Sequence, residues 1–365
     1  MNNLKEISNF LSEKKFQKCL LISGKNSYYK SGANKIFDDL LKKKNCLKYF
    51  KNNSIPEFSE LKKIIKIVHD FKPDLILAIG GGTVIDYAKS ANCLNMEITE
   101  ENIISGKVIY KKKAELCAIP TTAGSGAEVT ENAVLYLKKI KYSVEDKLIK
   151  PDHFFLIPEL IIDSDFKLKA ASGFDAIAQG IESILSIKSN DDSFKYSQKS
   201  LDYSFSNYQK YLENPNIENT NSMCLAANLS GKAISIARTT APHALSYPFT
   251  SIFNVSHGHA VSLTLNQFVK FNFLNINRAK NNFDLKKRYE ILFKVSKTTN
   301  INDFCDYLEF LKKTANLEGK LKKLNIHLDN NYEQILSGVN LLRLKNNPVE
   351  VTHNDIKKIL ESINK

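Results

Sequence analysis

Three residues in the C-terminal half of the chain carry side chains that bind divalent metals. His243 and His257 stand fourteen residues apart, and Asp175 lies upstream near the start of a predicted helix. One carboxylate and two imidazoles suit Fe²⁺ or Zn²⁺ with a coordination position left open. A metal held in this way polarises a carbonyl oxygen as a Lewis acid. The spacing alone leaves a second interpretation, in which the two histidines are independent polar residues of a loop.

A run of three glycines at 80–82 indicates a binding site for phosphate. It separates a predicted buried strand at 75–79 from a predicted helix at 83–94. Glycines permit a tight turn and the close approach of a ligand, and the N-terminus of the helix favours an anion such as a pyrophosphate. Thr83 is expected to cap the helix, with Asp86 in its first turn. An ordinary strand-to-helix turn is the alternative.

A second polar segment, PTTAGSG at 120–126, follows a predicted strand at 116–119. It adds three hydroxyl groups and two glycines at another strand end. Ligands collect at the carboxyl ends of strands in open α/β sheets, so the two segments together favour a bound dinucleotide.

The elements that position these residues change character along the chain. Up to about residue 160, amphipathic helical stretches such as 30–44 alternate with short apolar runs, a pattern that predicts βαβ units and a mostly parallel sheet. The runs are at 18–23, 75–79, 116–119 and 154–163. From about residue 168 a helical period takes over. It predicts helices at 172–187, 193–212, 221–238, 283–297, 302–315, 331–342 and 353–363. We therefore expect an α/β dinucleotide-binding domain at 1–163 and an all-α metal and substrate domain at 164–365.

Composition places the chain among globular proteins. Of its 365 residues, 43% are hydrophobic and 25% are charged, a balance that disordered chains lack. The chain shows no signal peptide and no apolar run long enough to span a membrane. Its six cysteines are scattered, without a close pair typical of a zinc or redox motif. We expect a cytoplasmic protein with reduced thiols and no membrane partner.

The net charge of +13 raises the alternative of a nucleic-acid-binding protein. The basic residues are 48 Lys and only four Arg, and the lysines are spread along the whole chain. No RNP motif, zinc finger or basic region accompanies them. A solvated lysine-rich surface is the better interpretation, and no nucleic-acid partner is expected.

Four blocks of the sequence resemble the iron-containing alcohol dehydrogenase family. They stand in the order and at the spacing of that family and cover most of the chain, and Asn347-Pro348 also fits. The blocks are 80–89 (GGGTVIDYAK), 120–130 (PTTAGSGAEVT), 172–183 (SGFDAIAQGIES) and 243–265. The resemblance implies NAD(P)H-dependent reduction of an aldehyde by a homodimeric enzyme. It also implies that metal and substrate bind between a dinucleotide-binding domain and a helical domain.

The resemblance also implies which residues hold the metal. Asp175, His243 and His257 match three ligands of the family, which commonly has a fourth, a His four residues after the Asp. This chain has Gln179 at that position. A neutral amide is a weak ligand. The alternatives are a metal held by three residues and water, a metal that is bound loosely, and a metal that is lost.

Proton transfer is expected from a residue near these ligands. Many members of the family have a His four residues after the equivalent of His243, where this chain has Tyr247. A phenol can donate a proton to a developing alkoxide, although a packed structural Tyr is an equal alternative. His259 is a second candidate for the proton relay, against the alternative of a structural His.

The first strand bears on the choice of nucleotide. NAD-dependent members of the family have an acidic residue just past this strand, where this chain has Gly24-Lys25. Nothing there repels a 2′-phosphate and Lys25 attracts one, so NADPH is favoured over NADH. The residues expected to bind the cofactor are Gly80, Gly81, Gly82, Thr83, Asp86, Thr121, Thr122, Ser125, Gly24, Lys25 and Lys141.

Three features of the chain are, within the family, most similar to phosphonoacetaldehyde reductases. They are the segment 237–247 (ARTTAPHALSY), the segment 257–260 (HGHA) and the pairing of Asp175 with Gln179. That similarity implies reduction of phosphonoacetaldehyde to 2-hydroxyethylphosphonate. The guanidinium group of Arg238 suits a phosphonate, although Arg238 could instead cap a helix C-terminus. Arg343 and Lys141 are weaker candidates for the anion.

Two other enzymes stay open as alternatives. One is an alcohol dehydrogenase for a short uncharged aldehyde. The other is a lyase of the dehydroquinate synthase type, against which the PTTAGSG block argues. Such a lyase regenerates its cofactor, so the stoichiometric consumption of NAD(P)H separates the two reactions.

Overall fold

The computed structural model describes residues 3–13, 16–138 and 140–364, and these form two compact units. The first unit contains the described residues up to Thr122 together with Gly126–Ser164. The second contains Ala123–Ser125 and the chain from Asp165 onward. An α/β unit is thus followed by a helical unit, and the predicted fold class is confirmed.

The first unit is built on a five-stranded parallel sheet with the strand order β2-β1-β3-β4-β7. A separate antiparallel hairpin is formed by β5 and β6. Among its described residues, this unit has seven strands, which are β1 (Lys18–Gly24), β2 (Asn45–Lys51), β3 (Leu75–Gly80), β4 (Glu115–Pro120), β5 (Asn132–Leu137), β6 (Ile140–Glu145) and β7 (His153–Phe154). The helices of this unit are α1 (Asn3–Glu13), α2 (Lys25–Lys30), α3 (Ala33–Leu41), α4 (Phe58–Phe71), α5 (Gly82–Cys93) and α6 (Glu100–Ser105).

Both faces of the sheet are covered, which explains the continuous apolar runs of its central strands. Successive side chains of a strand point to opposite faces. Leu20 and Ile22 of β1 accordingly pack in one core with α4 and α5, whereas Leu21 packs in a second core with α3. Because β1, β3 and β4 are parallel neighbours in the sheet, their carboxyl ends lie side by side at one edge.

The sequence reading missed three strands. Edge strand β2 is mostly polar and half exposed, so it has no apolar run. The hairpin of β5 and β6 was also not predicted. The stretch 154–163 was predicted to be extended, but only His153–Phe154 forms a strand, and Pro158–Leu160 forms a 3₁₀ turn. Proline lacks an N–H for the strand ladder and favours such a turn.

The predicted helix at 30–44 is shorter in the structure, where α3 spans Ala33–Leu41 and a separate helix, α2, ends at Lys30. Gly32 separates α2 from α3 and has a φ of 77°. Glycine adopts this left-handed conformation without the steric cost that a side chain would add. The chain therefore turns at Gly32 where the apolar pattern alone continues.

In the part of the second unit that the structure describes, the regular elements are all helical. The longer helices are α7 (Phe166–Leu185), α8 (Asp191–Glu213), α9 (Ile217–Ala237), α10 (Ala241–Ser251), α11 (His257–Leu274), α12 (Leu285–Ser296), α13 (Ile301–Thr314), α14 (Leu328–Ser337) and α16 (His353–Asn364), and α15 (Leu341–Leu344) is a single turn. None of the described helices is both long enough and apolar enough to cross a membrane.

Helices α10 and α11 were not predicted, although they carry both candidate metal-binding histidines. All residues from Ala241 to Phe249 are buried, so α10 has no polar face and gives no amphipathic pattern. Pro248 inside α10 is a further signal against a helix. Both elements are recognisable only from their tertiary environment.

Candidate active site

Three helices of the second unit bring Asp175, His243 and His257 together. Asp175 lies on α7, His243 in the first turn of α10, and His257 at the first position of α11. The Oδ1 atom of Asp175 is 3.2 Å from Nε2 of His243 and 4.0 Å from Nε2 of His257. The candidate ligand atoms all lie within 4.8 Å of one another. The histidines are thus not independent residues of a loop.

Gly258 allows His257 to reach this position. A Cβ atom on Gly258 would lie 1.9 Å from the carbonyl oxygen of Ala171 and 3.0 Å from Cβ of Asp175. Contacts under 3.0 Å force neighbouring atoms to move, and here the neighbour is backbone. The start of α11 can therefore lie against α7 only because this position has no side chain.

Glu182 orients His243, and the sequence reading did not identify it. It lies seven residues after Asp175, two turns along the same face of α7. Its carboxylate accepts hydrogen bonds from Nδ1 of His243 and from the backbone N–H of Thr240, the latter at 2.9 Å. This is the arrangement in which a second carboxylate fixes the tautomer of a metal-binding His. The i, i+7 spacing of Asp175 and Glu182 was the available signal.

The two carboxylates also change the acid–base behaviour of His243. Burial by itself lowers the pKa of this imidazole, but Glu182 and Asp175 outweigh burial and raise the pKa to about 10. Without a bound cation, the two carboxylates thus favour the protonated imidazole. A site that stabilises positive charge so strongly suits a divalent cation.

Gln179 supports Asp175 through its amide. Its Nε2 donates to Oδ2 of Asp175 at 3.1 Å, and its Oε1 accepts from the hydroxyl of Ser230 at 2.9 Å. Both polar atoms of the amide are engaged by protein groups. Oδ1 of Asp175 is the carboxylate oxygen that faces the histidines.

The two candidate proton donors differ in their surroundings. The ring of Tyr247 is only 29° from parallel to that of His257, with 6.3 Å between centroids, and the residue is 7% exposed. Tyr247 therefore lies beside one of the three candidate ligands, His257. His259 instead donates from Nε2 to the carbonyl of Glu318 at 2.8 Å. Burial lowers the pKa of His259. The hydrogen bond to Glu318 favours the alternative in which His259 is a structural residue.

His259 also lines a cavity of about 420 Å³ in the second unit. The other lining residues are Lys167, Leu168, Ala171, Phe253, Asn254, Val255, Ser256 and Leu324. The three candidate metal ligands are not among the residues that line it.

Arg238 stands at the C-terminal end of α9, immediately before Thr239 and Thr240. Its backbone has a φ of 63° and a ψ of 167°, a conformation that costs a residue other than glycine about 1–3 kcal/mol. The hydroxyl of Ser186 donates a hydrogen bond to the carbonyl of Ala237 at 2.6 Å, which holds this segment in place. Arg343 lies in α15, where its N–H bonds the side chain of Asn340.

The glycine turn of the first unit connects β3 to α5. The helix begins at Gly82, and Gly81 precedes it without a side-chain cap. The expectation that Thr83 caps α5 is therefore wrong, and Asp86 lies beyond the first turn in which it was expected. Thr83 is the second helical residue, and its hydroxyl donates to the carbonyl of Ser54 at 3.2 Å. The N–H groups at the start of α5 have no side-chain acceptor competing for them from the cap position.

The polar segment that follows β4 lies beside this turn. The N–H of Thr121 donates to the carbonyl of Gly80 at 3.0 Å, and a Cβ on Gly81 would be 3.4 Å from Oγ1 of Thr122. Gly80 tolerates no side chain, because its Cβ would lie 2.5 Å from Val84. Ser125, three residues after Thr122, is grouped with the second unit.

The remaining candidates for cofactor binding are distributed over the first unit. Asp86 is buried in α5 and accepts the N–H of Val134 in the hairpin at 3.1 Å. Burial raises the pKa of Asp86 to about 6. Lys141 lies in β6 opposite Tyr136. Gly24 ends β1, and Lys25 begins α2.

Comparisons with known proteins agree with this arrangement. Residues 1–158 match the family described as iron-containing alcohol dehydrogenase, and residues 169–364 match the C-terminal part of the Fe-containing alcohol dehydrogenase family. The chain is 31% identical over 222 residues to 4-hydroxybutyrate dehydrogenase of Clostridium kluyveri, covering 59% of each chain. It is 32% identical over 212 residues to phosphonoacetaldehyde reductase of Streptomyces viridochromogenes, covering 55% of this chain and 54% of that protein. The matches thus span little more than half the length of these relatives.

A solved structure has the same fold over nearly the whole chain. Sulfoacetaldehyde reductase from Bifidobacterium kashiwanohense, in complex with NAD⁺, has a TM-score of 0.87 at 23% identity, covering 99% of this chain and 95% of that chain. The two family matches together span most of the sequence and include every candidate metal ligand. This chain belongs to the iron-containing alcohol dehydrogenase family.

Proposed function

We propose that this chain is an NAD(P)H-dependent, metal-assisted reductase of a short aldehyde with an anionic group, and that phosphonoacetaldehyde is its substrate. The observation that carries the proposal is the convergence of Asp175, His243 and His257 from three helices.

The donor set fits a divalent metal. Two imidazole nitrogens and one carboxylate oxygen suit Fe²⁺ or Zn²⁺ and leave room for a substrate oxygen. When bound, the metal supplies a Lewis acid that polarises the carbonyl group of the aldehyde. Glu182 holds His243 with Nε2 toward Asp175, and Gln179 holds Oδ2 of the same Asp175. Gln179 is thus assigned a positioning role instead of a ligand role.

The first unit offers a site for the dinucleotide. NAD(P)H, when bound, supplies the hydride. The uncapped start of α5 and the glycines at 80–82 suit its pyrophosphate, with the hydroxyl of Thr122 beside Gly81. In the second unit, the Tyr247 phenol next to His257 is the group assigned to deliver the proton to the product oxygen.

Two lysines, one at the end of β2 and one directly after β1, support a preference for NADPH. Gly24 pairs with Lys51 in the register of β1 and β2, and a Cβ on Gly24 would be 3.7 Å from Cε of Lys51. Lys25 follows directly. Two cations near a position without a side chain attract a 2′-phosphate. Comparison of kcat/KM for NADPH and NADH tests this preference, and a strong preference for NADH refutes it.

The names of the three relatives described above support an anionic substrate. Hydroxybutyrate, phosphonoacetaldehyde and sulfoacetaldehyde carry a carboxylate, a phosphonate and a sulfonate respectively. Arg238 is assigned to this anion because it is one of only four arginines, lies five residues before His243 and precedes two threonines. Its strained backbone conformation also supports a functional role, since strain of this kind clusters at functional sites.

The test compares phosphonoacetaldehyde with propionaldehyde, its uncharged analogue, for the wild type and for Arg238→Ala. We expect kcat/KM for the phosphonate to exceed that for propionaldehyde by at least about tenfold, which corresponds to about 1.4 kcal/mol. Arg238→Ala should remove most of this difference. If the wild type does not prefer the phosphonate, the substrate is a short uncharged aldehyde instead. If the variant weakens both reactions equally, another residue binds the anion.

A further inference from the structure

Two cysteines that are distant in sequence are neighbours in the sheet. Cys19 of β1 and Cys46 of β2 are paired in the parallel register of the two strands. Paired side chains of adjacent strands point to the same face, and both cysteines belong to the same core, Cys19 fully buried and Cys46 partly exposed. The register therefore places the two thiols side by side on this face of the sheet.

The spacing of adjacent strands permits a covalent link between them. Neighbouring strands lie about 4.8 Å apart, and the Cα atoms of a disulfide are usually about 4.4–6.8 Å apart. Strand β2 is at an edge of the sheet, so an oxidant can reach Cys46 without unfolding of the core. The neighbouring Cys19 lowers the pKa of Cys46, whereas the neighbouring Cys46, together with burial, raises the pKa of Cys19. The remaining proton of the pair therefore stays on Cys19.

We propose that Cys46 and Cys19 form a peroxide-responsive dithiol that closes reversibly to a disulfide between β1 and β2. In the first step the Cys46 thiolate attacks a hydroperoxide, an S–O bond forms, the O–O bond breaks, and water or an alcohol leaves after protonation. In the second step the sulfur of Cys19 attacks the sulfenic acid, an S–S bond forms, and the S–O bond breaks. The Cys19 proton leaves with the oxygen as water. A dithiol reductant reverses the bond by exchange.

This site is separate from the reduction of aldehydes. The cysteines lie near the amino ends of β1 and β2, whereas Gly24 and Lys51 lie at the carboxyl ends of the same strands. The candidate metal ligands include no cysteine. The disulfide would close a loop of about 28 residues and attach an edge strand to the sheet, which reduces the freedom of the unfolded chain.

Peptide mapping without reductant tests the proposal on the wild type. Reduced protein is treated with a few equivalents of hydrogen peroxide, blocked with iodoacetamide, digested and analysed by mass spectrometry. We expect a single cross-linked pair of peptides that contains Cys19 and Cys46, with the loss of two hydrogens, its disappearance on treatment with dithiothreitol, and a Tm raised by a few degrees.

Two variants serve as controls. Cys46→Ser should abolish the cross-link, and Cys224→Ser, which changes a buried thiol of the second unit, should leave it intact. The proposal is overturned if both thiols stay reduced, if Cys46 oxidises without a bridge, or if the bridge joins other cysteines. The mass readout needs no variant and no aldehyde turnover, so it stands whether or not the proposed reaction is correct.

Discussion

At the scale of single residues, Glu182 is the group on which the position of His243 depends. Replacement by Gln removes the charge that accepts Nδ1–H of His243 while the volume stays nearly the same. Loss of such an outer carboxylate typically weakens metal binding about 10–100-fold. We expect Glu182→Gln to lower the affinity for Zn²⁺ by this factor in competition with a chromogenic chelator. Glu218→Gln, an exposed change on α9, is the matched control. Equal affinities for Zn²⁺ in the two variants would show that Glu182 does not support the metal site.

Substitution of Gln179 by His is expected to strengthen metal binding. A His at this position stands one helical turn from Asp175 and offers an imidazole nitrogen in place of the amide. A fourth strong ligand completes the tetrahedral set that zinc prefers. Gln179→His is expected to slow the loss of metal to a chelator by about tenfold or more, whereas Gln179→Ala, which removes the hydrogen bond to Asp175, should accelerate it. An unchanged rate in Gln179→His would place residue 179 away from the metal.

The candidate ligands could be predicted from the sequence because carboxylates and imidazoles bind metals whatever element carries them. The i, i+7 spacing places Glu182 on the same helix face as Asp175, but its bond to His243 depends on the packing of α10 against α7, which the sequence does not show. The same limit applies to Thr83. Its residue type is typical of a cap, but the helix begins one residue before it, at Gly82.

At the scale of elements, Gly258 sets the distance between α11 and α7. Gly258→Ala places a methyl group 1.9 Å from the carbonyl of Ala171, so the two helices must separate. We expect a loss of about 1–3 kcal/mol in the free energy of unfolding by urea, together with a loss of bound metal because His257 moves with α11. Gly319→Ala is the control, since its nearest atoms would lie at 3.8 Å. Full metal content in Gly258→Ala would contradict this role.

Asp86 links α5 to the hairpin, and its titration is expected to affect stability. Burial raises the pKa of Asp86 from 3.8 to about 6, so the folded state binds this proton more tightly than the unfolded state. Stability therefore falls as the pH rises between about 4 and 6, by about 3 kcal/mol, and is level above that window. Asp86→Asn keeps an acceptor for Val134 but does not titrate. Urea unfolding across this range should show the decline in the wild type and not in the variant. Parallel profiles would mean that Asp86 is hydrated.

The elements differ in how far the sequence predicts them. Strands β1, β3 and β4 have continuous apolar runs because both faces of the sheet are covered. Edge strand β2 has no such run, and α10 is buried on every side, so neither shows the periodicity of its own type. Strand β2 and helix α10 are defined by their packing against other elements, and this packing exists only in the folded chain.

At the scale of the whole molecule, the family follows from blocks of sequence distributed over both units, while the substrate does not. The family matches cover residues 1–158 and 169–364, but the chain is only 31% and 32% identical to 4-hydroxybutyrate dehydrogenase and phosphonoacetaldehyde reductase. Substrate choice depends on a few side chains, of which Arg238 is our candidate, and fold similarity does not determine them.

Metal-assisted reduction of phosphonoacetaldehyde is tested most directly by incubating this aldehyde and NADPH with the Fe²⁺- or Zn²⁺-loaded protein. Phosphorus NMR monitors the product. We predict one NADPH consumed for each 2-hydroxyethylphosphonate formed, with turnover lost on removal of the metal by a chelator and recovered when the metal is returned. Turnover that is unaffected by metal removal, or the absence of 2-hydroxyethylphosphonate from a fully metal-loaded sample, would contradict the account.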